Sequence, residues 1–434
     1  MERNDPRYQA YVEILKEELI PAMGCTEPIA LAYAAAKARE VLGVLPDSVQ
    51  LQVSGSIIKN VKSVIVPNTG HLKGMEAAVA AGIIAGSAEK ELEVISEVSE
   101  EKKSAIRDYL QTVPITIEHT EQGHVFDIVV TERCGQDYAR VRIADYHTNI
   151  CRIEKNGTVL YEVPLLDETV QEDARADRSL LNMQDIWDFA ETADLRDVAD
   201  LLERQIRYNN AIAEEGLLGD YGANIGRVLL TTYGNDVSNR AKAKAAAGSD
   251  ARMNGCELPV IINSGSGNQG LTASLPVIVY AREMGVSEDT LLRALLVSNL
   301  VTIHLKTGIG PLSAYCGATS AGCGAGAGIT YLHGGRYNEI AHTVVNALAI
   351  NSGMVCDGAK ASCAAKIASA VEAGLLGMQM QMHDSEFMGG DGIVLKGVEN
   401  TIRNVSKMAH DGMAETDREI IRLMIAPQEG VSGC

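Results

Sequence analysis

Apolar residues recur every three or four positions in the first part of the chain. Residues 8–20 follow this period, and so do residues 26–42, which begin with Thr26, carry Pro28 in the first turn and stop before Gly43. This spacing is typical of helices with one buried face, and proline near the start and glycine just after the end mark helix boundaries. We therefore predict two helices near the N-terminus.

The next part of the chain alternates apolar and polar residues, which predicts strands at 50–54, 114–119, 125–132, 138–144 and 157–163. From about 167 to 205 the sequence is acidic and helical, as at a solvated domain junction. Beyond it the strand pattern fades, and Ala- and Gly-rich helices are predicted at 271–285, 288–302, 315–333, 338–350, 357–375 and 395–409. The predicted fold class is α+β: an N-terminal mixed α/β region, residues 1–168, followed by a mainly α-helical domain, residues 169–434.

Charge narrows the class of partner. The 434 residues contain 38 Lys and Arg against 57 Asp and Glu, a net charge of −19, which argues against nucleic acid and anionic membranes as partners. Met1 to Tyr8 is charged with no apolar stretch behind it, so we expect no secretory signal, a cytoplasmic location and reduced thiols. Between Thr307 and Gly335 no Asp, Glu, Lys or Arg occurs, but the many glycines favour a closely packed buried helix over a membrane span.

Cysteines are the first candidates for chemistry. Cys356 and Cys363 are seven residues apart, which puts two thiols on one helix face if the helix starts early enough, so the pair can share a metal centre. The alternative is two small buried apolar residues, but Asp357 and Gly358 favour a polar turn at the helix start. Cys316 lies among glycines and alanines that leave room for a bulky inorganic group, and Cys323 follows it by one heptad as a ligand or as a helix-packing residue.

Cys25 directly precedes the predicted helix at 26–42. A thiol at a helix start faces unpaired N–H groups and the positive end of the helix dipole, so we expect a lowered pKa and a thiolate that acts as base or ligand. A structural role at the helix terminus is the alternative.

The segment 264–270 is a second candidate site. Ser264, Ser266 and Asn268 combine hydroxyl and amide donors with the backbone N–H groups of a glycine-rich loop, which suits a carboxylate, although the loop could simply start the next helix. Further candidates, each of which taken alone favours a structural role, are Lys59, Asn60, Asn68, His147, Asn149 and Glu215.

Taken together, these segments resemble a known family over nearly the whole chain. The matching blocks are PAMGCTEPIALA, SGSIIKN, VPNTG, HTNI, SDARM, NSGSGNQG, LSAYCGATSAG and SGMVCDGAKASCAAK. They resemble the L-cysteine desulfidases, relatives of the iron–sulfur L-serine dehydratases. The resemblance implies an oxygen-sensitive 4Fe-4S cluster in which three cysteines hold three irons and the fourth iron stays open. Cys316, Cys356 and Cys363 match the ligand positions, and Cys25 matches the position assigned to proton abstraction.

The resemblance also implies a reaction, the α,β-elimination of L-cysteine to hydrogen sulfide, pyruvate and ammonia. L-Serine could undergo the same steps, so an L-serine dehydratase is the first alternative. Ser264, Ser266 and Asn268 are expected to bind the substrate carboxylate, and Lys59, Asn60, His147 and Asn149 complete the expected substrate site. Cys25 could instead be a ligand, Cys434 a resting fourth ligand, and the chain a homo-oligomer.

Two other classes compete with this interpretation. SGSGN is similar to the carboxylate loop of pyridoxal-phosphate dehydratases, which would require a Schiff-base lysine; Lys242 and Lys244 are nearest, in a segment that predicts an exposed helix. The other class is a non-catalytic protein in which the thiols hold a structural metal or a sensing cluster. The sequence contains no CxxC pair of the kind usual in structural zinc sites.

Overall fold

The computed structural model describes residues 1–120, 124–165, 175–310 and 313–426. Its helices are α1 (Pro6–Glu18), α2 (Thr26–Leu42), α3 (Gly55–Val61), α4 (Gly74–Ala85), α5 (Glu100–Thr112), α6 (Met183–Thr192), α7 (Ala199–Leu218), α8 (Ile225–Tyr233), α9 (Val237–Met253), α10 (Gly267–Met284), α11 (Glu288–Thr307), α12 (Gly317–Leu332), α13 (Tyr337–Ile350), α14 (Cys363–Met382), α15 (Val398–Lys407) and α16 (Ala414–Ile425). Its strands are β1 (Pro21–Met23), β2 (Ser48–Ser54), β3 (Ile115–Thr120), β4 (Asp127–Cys134), β5 (Asp137–Ala144), β6 (Ile150–Lys155), β7 (Thr158–Glu162) and β8 (Pro259–Ile261).

A six-stranded sheet organises the N-terminal region. Its strand order is β3-β2-β4-β5-β6-β7, with β2 parallel to β3 and the other neighbours antiparallel. Val49, Leu51 and Val53 alternate onto the buried face of β2, and α2 packs on β4 and β5. The predicted α+β class is confirmed: a mixed region with a sheet precedes a mainly helical one. The boundary at 168/169 lies outside the described residues and stays a prediction.

The five predicted strands are present, but β6 was not predicted. Its residue Glu154 is buried, where the alternation rule requires an apolar side chain. Hydrogen bonds satisfy its carboxylate, since Tyr138 Oη donates at 2.5 Å and Arg152 Nη2 at 2.9 Å. A strand whose buried position holds a paired charged residue lacks the alternation of apolar and polar residues by which strands are predicted.

A second, two-stranded sheet joins distant parts of the chain. β1 pairs antiparallel with β8, with Ala22 opposite Val260. Both strands have three residues, too short to show a period, and neither was predicted. Cys25 follows β1 and the 264–270 loop follows β8, so this pairing brings the two segments together.

The predicted helices are confirmed with two corrections. α2 runs from Thr26 to Leu42, and Gly43 ends it with a φ of 85°, a left-handed conformation that glycine adopts without strain. The first correction concerns the helix predicted at 357–375: α14 begins only at Cys363, because Gly358 (φ +92°) turns the preceding loop. Cys356 is therefore in a loop, and the two-turn interpretation of the Cys356–Cys363 spacing is wrong.

The second correction concerns α9, which was expected to be exposed. Its residues Ala241, Ala243 and Ala245–Ala247 are fully buried. Lys242 forms an ion pair with Glu372 at 2.7 Å, and Lys244 one with Glu214 at 3.3 Å. Alanine is small enough for close helix packing, so its frequency in a segment does not indicate exposure.

The helical region is built around α12, which packs against α10, α11, α13 and α14. A Cβ at Gly322 would overlap the carbonyl oxygen of Ala370 on α14, and a Cβ at Gly374 would overlap that of Gly322. α12 is thus the closely packed buried helix that its glycines predicted. No helix in the described part of the chain is both long and apolar enough to cross a membrane.

The close contact between α12 and α14 leads us to predict an effect on stability. We expect Gly322→Ala to lower the free energy of unfolding by about 1–3 kcal/mol, despite the better helix propensity of alanine, because the helices must separate. Urea unfolding measures this, with Gly412→Ala as control, where the nearest atom to an added Cβ is Met408 Cγ at 3.9 Å. Equal stabilities of Gly322→Ala and Gly412→Ala would contradict the packing argument.

A buried carboxyl on α9 predicts a pH dependence. Burial raises the pKa of Asp250 from 3.8 to about 6, although its Oδ2 accepts the Gly226 N–H at 3.3 Å. The folded state binds this proton more tightly than the unfolded state, so the contribution to stability is complete below pH 4 and is lost as the pH rises through 6. Asp250→Asn should therefore be more stable than the wild type above pH 7, by up to roughly 3 kcal/mol, with no difference near pH 4.

Urea unfolding between pH 4 and 8 tests this expectation. The exposed Asp289→Asn at the start of α11 is the control and should leave the pH dependence unchanged. Parallel pH curves for wild type and Asp250→Asn would show that Asp250 is not the titrating group.

Candidate functional site

The structure brings Cys316, Cys356 and Cys363 together. Cys316 is the residue before the first turn of α12, and Cys363 is the first residue of α14. A backbone bridge joins the segments of the first two cysteines: Cys316 N–H donates to Met354 O at 2.9 Å, and Cys356 N–H to Ala314 O at 2.6 Å. The Cys316 and Cys356 thiols are near enough to shift each other's pKa, and charge on Cys363 acts on Cys316.

Gly358 shapes the loop that carries Cys356. Its φ of +92° is left-handed, and a Cβ there would overlap the carbonyl oxygen of Lys59 on α3. The Gly358 carbonyl in turn accepts a hydrogen bond from Cys363 Sγ at 3.6 Å. Glycine at this position thus lets the loop lie directly on α3 and sets the positions of both flanking cysteines.

One buried lysine and one partly exposed lysine lie near the thiols. Lys59 is buried and forms an ion pair with Asp417 of α16, and Lys366 pairs with Asp357 beside Cys356. The neighbouring Cys316 thiol lowers the pKa of Cys356, and the positive charges of Lys59 and Lys366 act in the same direction. The neighbouring Cys356 thiol and burial raise the pKa of Cys316 well above its usual value. Of these two thiols, Cys356 is therefore the one that ionises first.

Lys306 of α11 is a further buried cation that the sequence did not reveal. Its ammonium group donates to the Gly310 carbonyl, and burial lowers its pKa to about 8, while Cys356 and Cys316 act to raise it. Nothing in the sequence indicates Lys306, because it stands in an apolar helical segment. Only the fold brings it near Cys316 and Cys356.

These residues fit an iron–sulfur cluster better than a single ion. In the described residues no three His, Cys, Asp or Glu side chains form a group that could hold one metal ion. A cluster makes a different demand, because each thiolate binds a different iron and the sulfurs need not converge on one point. Three neighbouring thiols, of which Cys356 ionises first, offer the ligands that a cluster needs, and the nearby ammonium groups of Lys59 and Lys366 offset negative charge.

Cys25 does not have the lowered pKa that its helix-start position predicted. Its thiol donates to Glu27 Oε2 at 3.0 Å instead of capping α2, and its side chain is buried. Burial, and then the negative charge of Glu27, raise the pKa of Cys25 well above its usual value. The expectation of a resting thiolate is wrong because the helix dipole is weaker than desolvation next to a carboxylate.

The 264–270 loop is a turn over residues 264–266 that continues into the first turn of α10, so it does start the next helix, and it connects the start of α2 with the start of α12. Thr26 Oγ1 donates to Gly265 O at 3.1 Å, which ties the loop to α2. At its other end Gln269 packs against Gly317, the residue after Cys316, and Gln269 Oε1 is buried without a hydrogen-bond partner.

Of the loop residues, Ser264 has a left-handed φ of 49° and donates to Asn263 Oδ1 at 2.8 Å. Ser266 is the residue before α10. Asn268 accepts a hydrogen bond from Arg252 at 3.1 Å. Gln269 belongs to the donor-rich segment predicted from the sequence, whereas Glu27 and Arg252 were not predicted as site residues, although each lies in a segment that was singled out.

The remaining candidates have separate positions. His147 packs edge-on against Phe126, its Nε2 is buried without a partner, and its ring lies near Gly265. Burial lowers the pKa of His147, so the ring is neutral at pH 7. Asn149 donates to Ala144 O at 2.9 Å within the turn between β5 and β6, whereas Asn60 is buried on α3 one residue after Lys59.

Four other residues singled out in the sequence are accounted for as follows. Asn68 donates to Ile95 O, and Glu215 accepts from Tyr221 Oη, both in structural contacts. Cys323 is buried within α12. Cys434 lies outside the described residues. All eight cysteines in the described ranges are free thiols.

Comparison with known proteins identifies the family of this chain. The model of the serine dehydratase alpha chain matches residues 89–422. A UPF0597 protein of Desulfitobacterium hafniense is 61% identical over 98% of both chains, and one of Lachnoclostridium phytofermentans is 51% identical over 96% of this chain and all of its own. The names of these two relatives specify no substrate. The matched family is one of iron–sulfur lyases that act on small amino acids. This chain belongs to the serine dehydratase alpha chain family.

Proposed function

We propose that this protein is an iron–sulfur L-cysteine desulfidase that converts L-cysteine to hydrogen sulfide, pyruvate and ammonia. The observation that carries the proposal is a chain of contacts that leads from Cys25 to the three cysteines: its neighbour Thr26 donates to Gly265, and Gln269 lies against Gly317 beside Cys316. These contacts link a candidate base, a candidate carboxylate-binding loop and three thiols, and elimination from an amino acid requires groups of these kinds.

Cys316, Cys356 and Cys363 would hold a 4Fe-4S cluster. When bound, the cluster supplies a thiophilic Lewis acid that aids departure of the sulfide. The positive charges of Lys59 and Lys366 favour the thiolate forms that ligation needs, as they already do for Cys356.

Cys25 would take the Cα proton. Its thiol is hydrogen-bonded to Glu27 Oε2, so passage of that proton to the carboxylate produces a thiolate at Sγ. A thiolate whose pKa is raised by burial is a stronger base than one at the ordinary value, which suits a weakly acidic Cα–H. Glu27 is thus the partner that sets the protonation state of Cys25.

The substrate-binding groups would orient this step. Ser264, Ser266 and Asn268 would hold the carboxylate, which turns Cα toward Cys25 on the neighbouring helix start. His147, Lys59, Asn60 and Asn149 stay candidates for contacts with the rest of the substrate. Removal of the Cα proton and loss of HS⁻ leave aminoacrylate, which tautomerises and hydrolyses to pyruvate and ammonia.

An L-serine dehydratase with the same cluster is the second candidate, and the family match favours it. A pyridoxal-phosphate enzyme has less support, because Lys242 and Lys244 are each paired with a carboxylate. A non-catalytic metal or sensing protein would not need a base such as Cys25 beside a carboxylate-binding loop.

The direct test is anaerobic purification followed by iron and sulfide quantitation, with sulfide and pyruvate release measured from L-cysteine and L-serine. We expect about four irons and four sulfides per chain, and release of sulfide from L-cysteine that is lost in air. Pyruvate from L-serine alone would replace the proposal with the dehydratase, and turnover without iron would overturn both.

The two roles of the cysteines can be separated by substitution. Cys25→Ser should keep the iron and lose roughly 10²–10⁴-fold in kcat, because it removes only the base. Cys316→Ser should lose iron and activity together. Cys323→Ala is the control and should keep both. Loss of iron in Cys25→Ser would instead make Cys25 a ligand.

Gly358 provides a structural test of the cluster site. Gly358→Ala places a Cβ against the Lys59 carbonyl at a left-handed φ, so we expect the loop with Cys356 to shift and iron content to fall to less than about half. Gly353→Ala in the same segment is the control, since nothing lies within 4 Å of an added Cβ there. Equal iron content in the two variants would show that the position of Cys356 is not critical for cluster binding.

A further inference from the structure

Arg252 is a buried cation that forms no ion pair among the residues the structure describes. Its residue is 2% exposed near the C-terminal end of α9. In the described part of the chain its guanidinium donates to Asn268 Oδ1 at 3.1 Å and approaches Met253 Sδ at 4.0 Å, and it forms no ion pair with a carboxylate. Its Nε is buried without any hydrogen-bond partner. Arginine stays protonated in proteins, so this charge cannot be lost to reduce the cost of burial.

The guanidinium lies at the start of a long helix. A Cβ at Gly267, the first residue of the 18-residue helix α10, would overlap Arg252 Nε and lie 2.8 Å from its Cζ. Glycine at this position is what allows the side chain to lie against the loop backbone. The helix N-terminus and the guanidinium therefore present unpaired N–H groups and positive charge to the same space, the combination that binds an anion.

That space is the candidate active site. Burial dominates the pKa values of Cys25, His147 and Cys363, and the charge of Arg252 acts on all three in the direction that lowers them. One guanidinium thus influences the proposed base, the neutral histidine and one proposed cluster ligand. Glu27 is the carboxylate on the other side of Cys25, hydrogen-bonded to the thiol rather than to Arg252.

We infer that Arg252 binds the α-carboxylate of the amino-acid substrate and makes a free carboxylate a requirement for binding. This inference rests on the proposed function and adds the counter-charge that the hydroxyl and amide donors of the 264–270 loop lack. A carboxylate can accept two parallel N–H bonds from a guanidinium, and Nε is one of the donors that such a pair uses. Asn268 holds the guanidinium from one side and leaves Nε available.

The inference predicts a ligand-specific effect. 3-Mercaptopropionate has the thiol and the carboxylate of cysteine without the amine, and cysteamine has the thiol and the amine without the carboxylate. In the anaerobic, iron-loaded protein, Arg252→Met should weaken 3-mercaptopropionate binding by roughly 30-fold or more, and cysteamine binding by less than about threefold, because only the first ligand contacts the guanidinium. Arg252→Lys, which keeps the charge but not the paired donors, should lie between wild type and Arg252→Met.

Titration calorimetry measures both dissociation constants. Arg204→Met is the matched control, since Arg204 also has a buried Nε without a partner but donates to Leu19 O near β1; it should leave both constants unchanged. Iron content and unfolding temperature of each variant are measured in the same preparations. Equal weakening of both ligands by Arg252→Met would assign Arg252 a structural role, and unchanged 3-mercaptopropionate binding, or no binding to the wild type, would overturn the inference.

Turnover by the wild-type protein keeps this result separate from the proposed function. If L-cysteine releases no sulfide but 3-mercaptopropionate still requires Arg252, the desulfidase proposal fails and the carboxylate site stands. If sulfide is released and Arg252→Met binds 3-mercaptopropionate as the wild type does, the desulfidase stands and the role of Arg252 is refuted.

Discussion

Close approach at glycines is the physical constraint on which the candidate site depends. Gly358 admits the carbonyl of Lys59, Gly317 admits Gln269, and Gly267 admits Arg252. At each of these positions a single methyl group would occupy space that a site residue or its neighbour already fills. The starts of α2, α10, α12 and α14 converge because the segments around them can pack at this range, and convergence of helix starts supplies unpaired N–H groups to one buried region.

The candidate site is rich in positive charge, whereas the whole chain has a net negative charge. A protein with a net charge of −19 buries Lys59, Lys306 and Arg252 around thiols that can ionise. The cost of burying the lysines is offset locally, by Asp417 for Lys59 and by negative charge on Cys356 or Cys316 for Lys306. The acidic surface argues against nucleic acid as a partner, and the positive interior suits a thiolate-bound cluster and a carboxylate substrate.

Much of the local structure followed from the sequence. The limits of α2 were predicted because Thr26, Pro28 and Gly43 are local signals, and the main strands were predicted because their faces alternate. β6 was missed where paired charges replaced apolar positions, and β1 and β8 were missed because three residues carry no period. The helix predicted at 357–375 begins too early. Gly358 delays the start of α14 through a left-handed turn that packs on α3, and this packing does not show in the neighbouring sequence.

The sequence by itself determined the α+β class, the residue types available for chemistry and the blocks that resemble iron–sulfur lyases. Only the tertiary structure decided which of these residues are neighbours and what their environments do to them. Cys25 has a raised pKa because the fold buries it beside Glu27, although its position at a helix start favours the opposite. Arg252 lies in the same site through the pairing of β1 with β8 and the packing of α9 on α10. Desolvation and charge act through space, so neither is encoded by position along the chain.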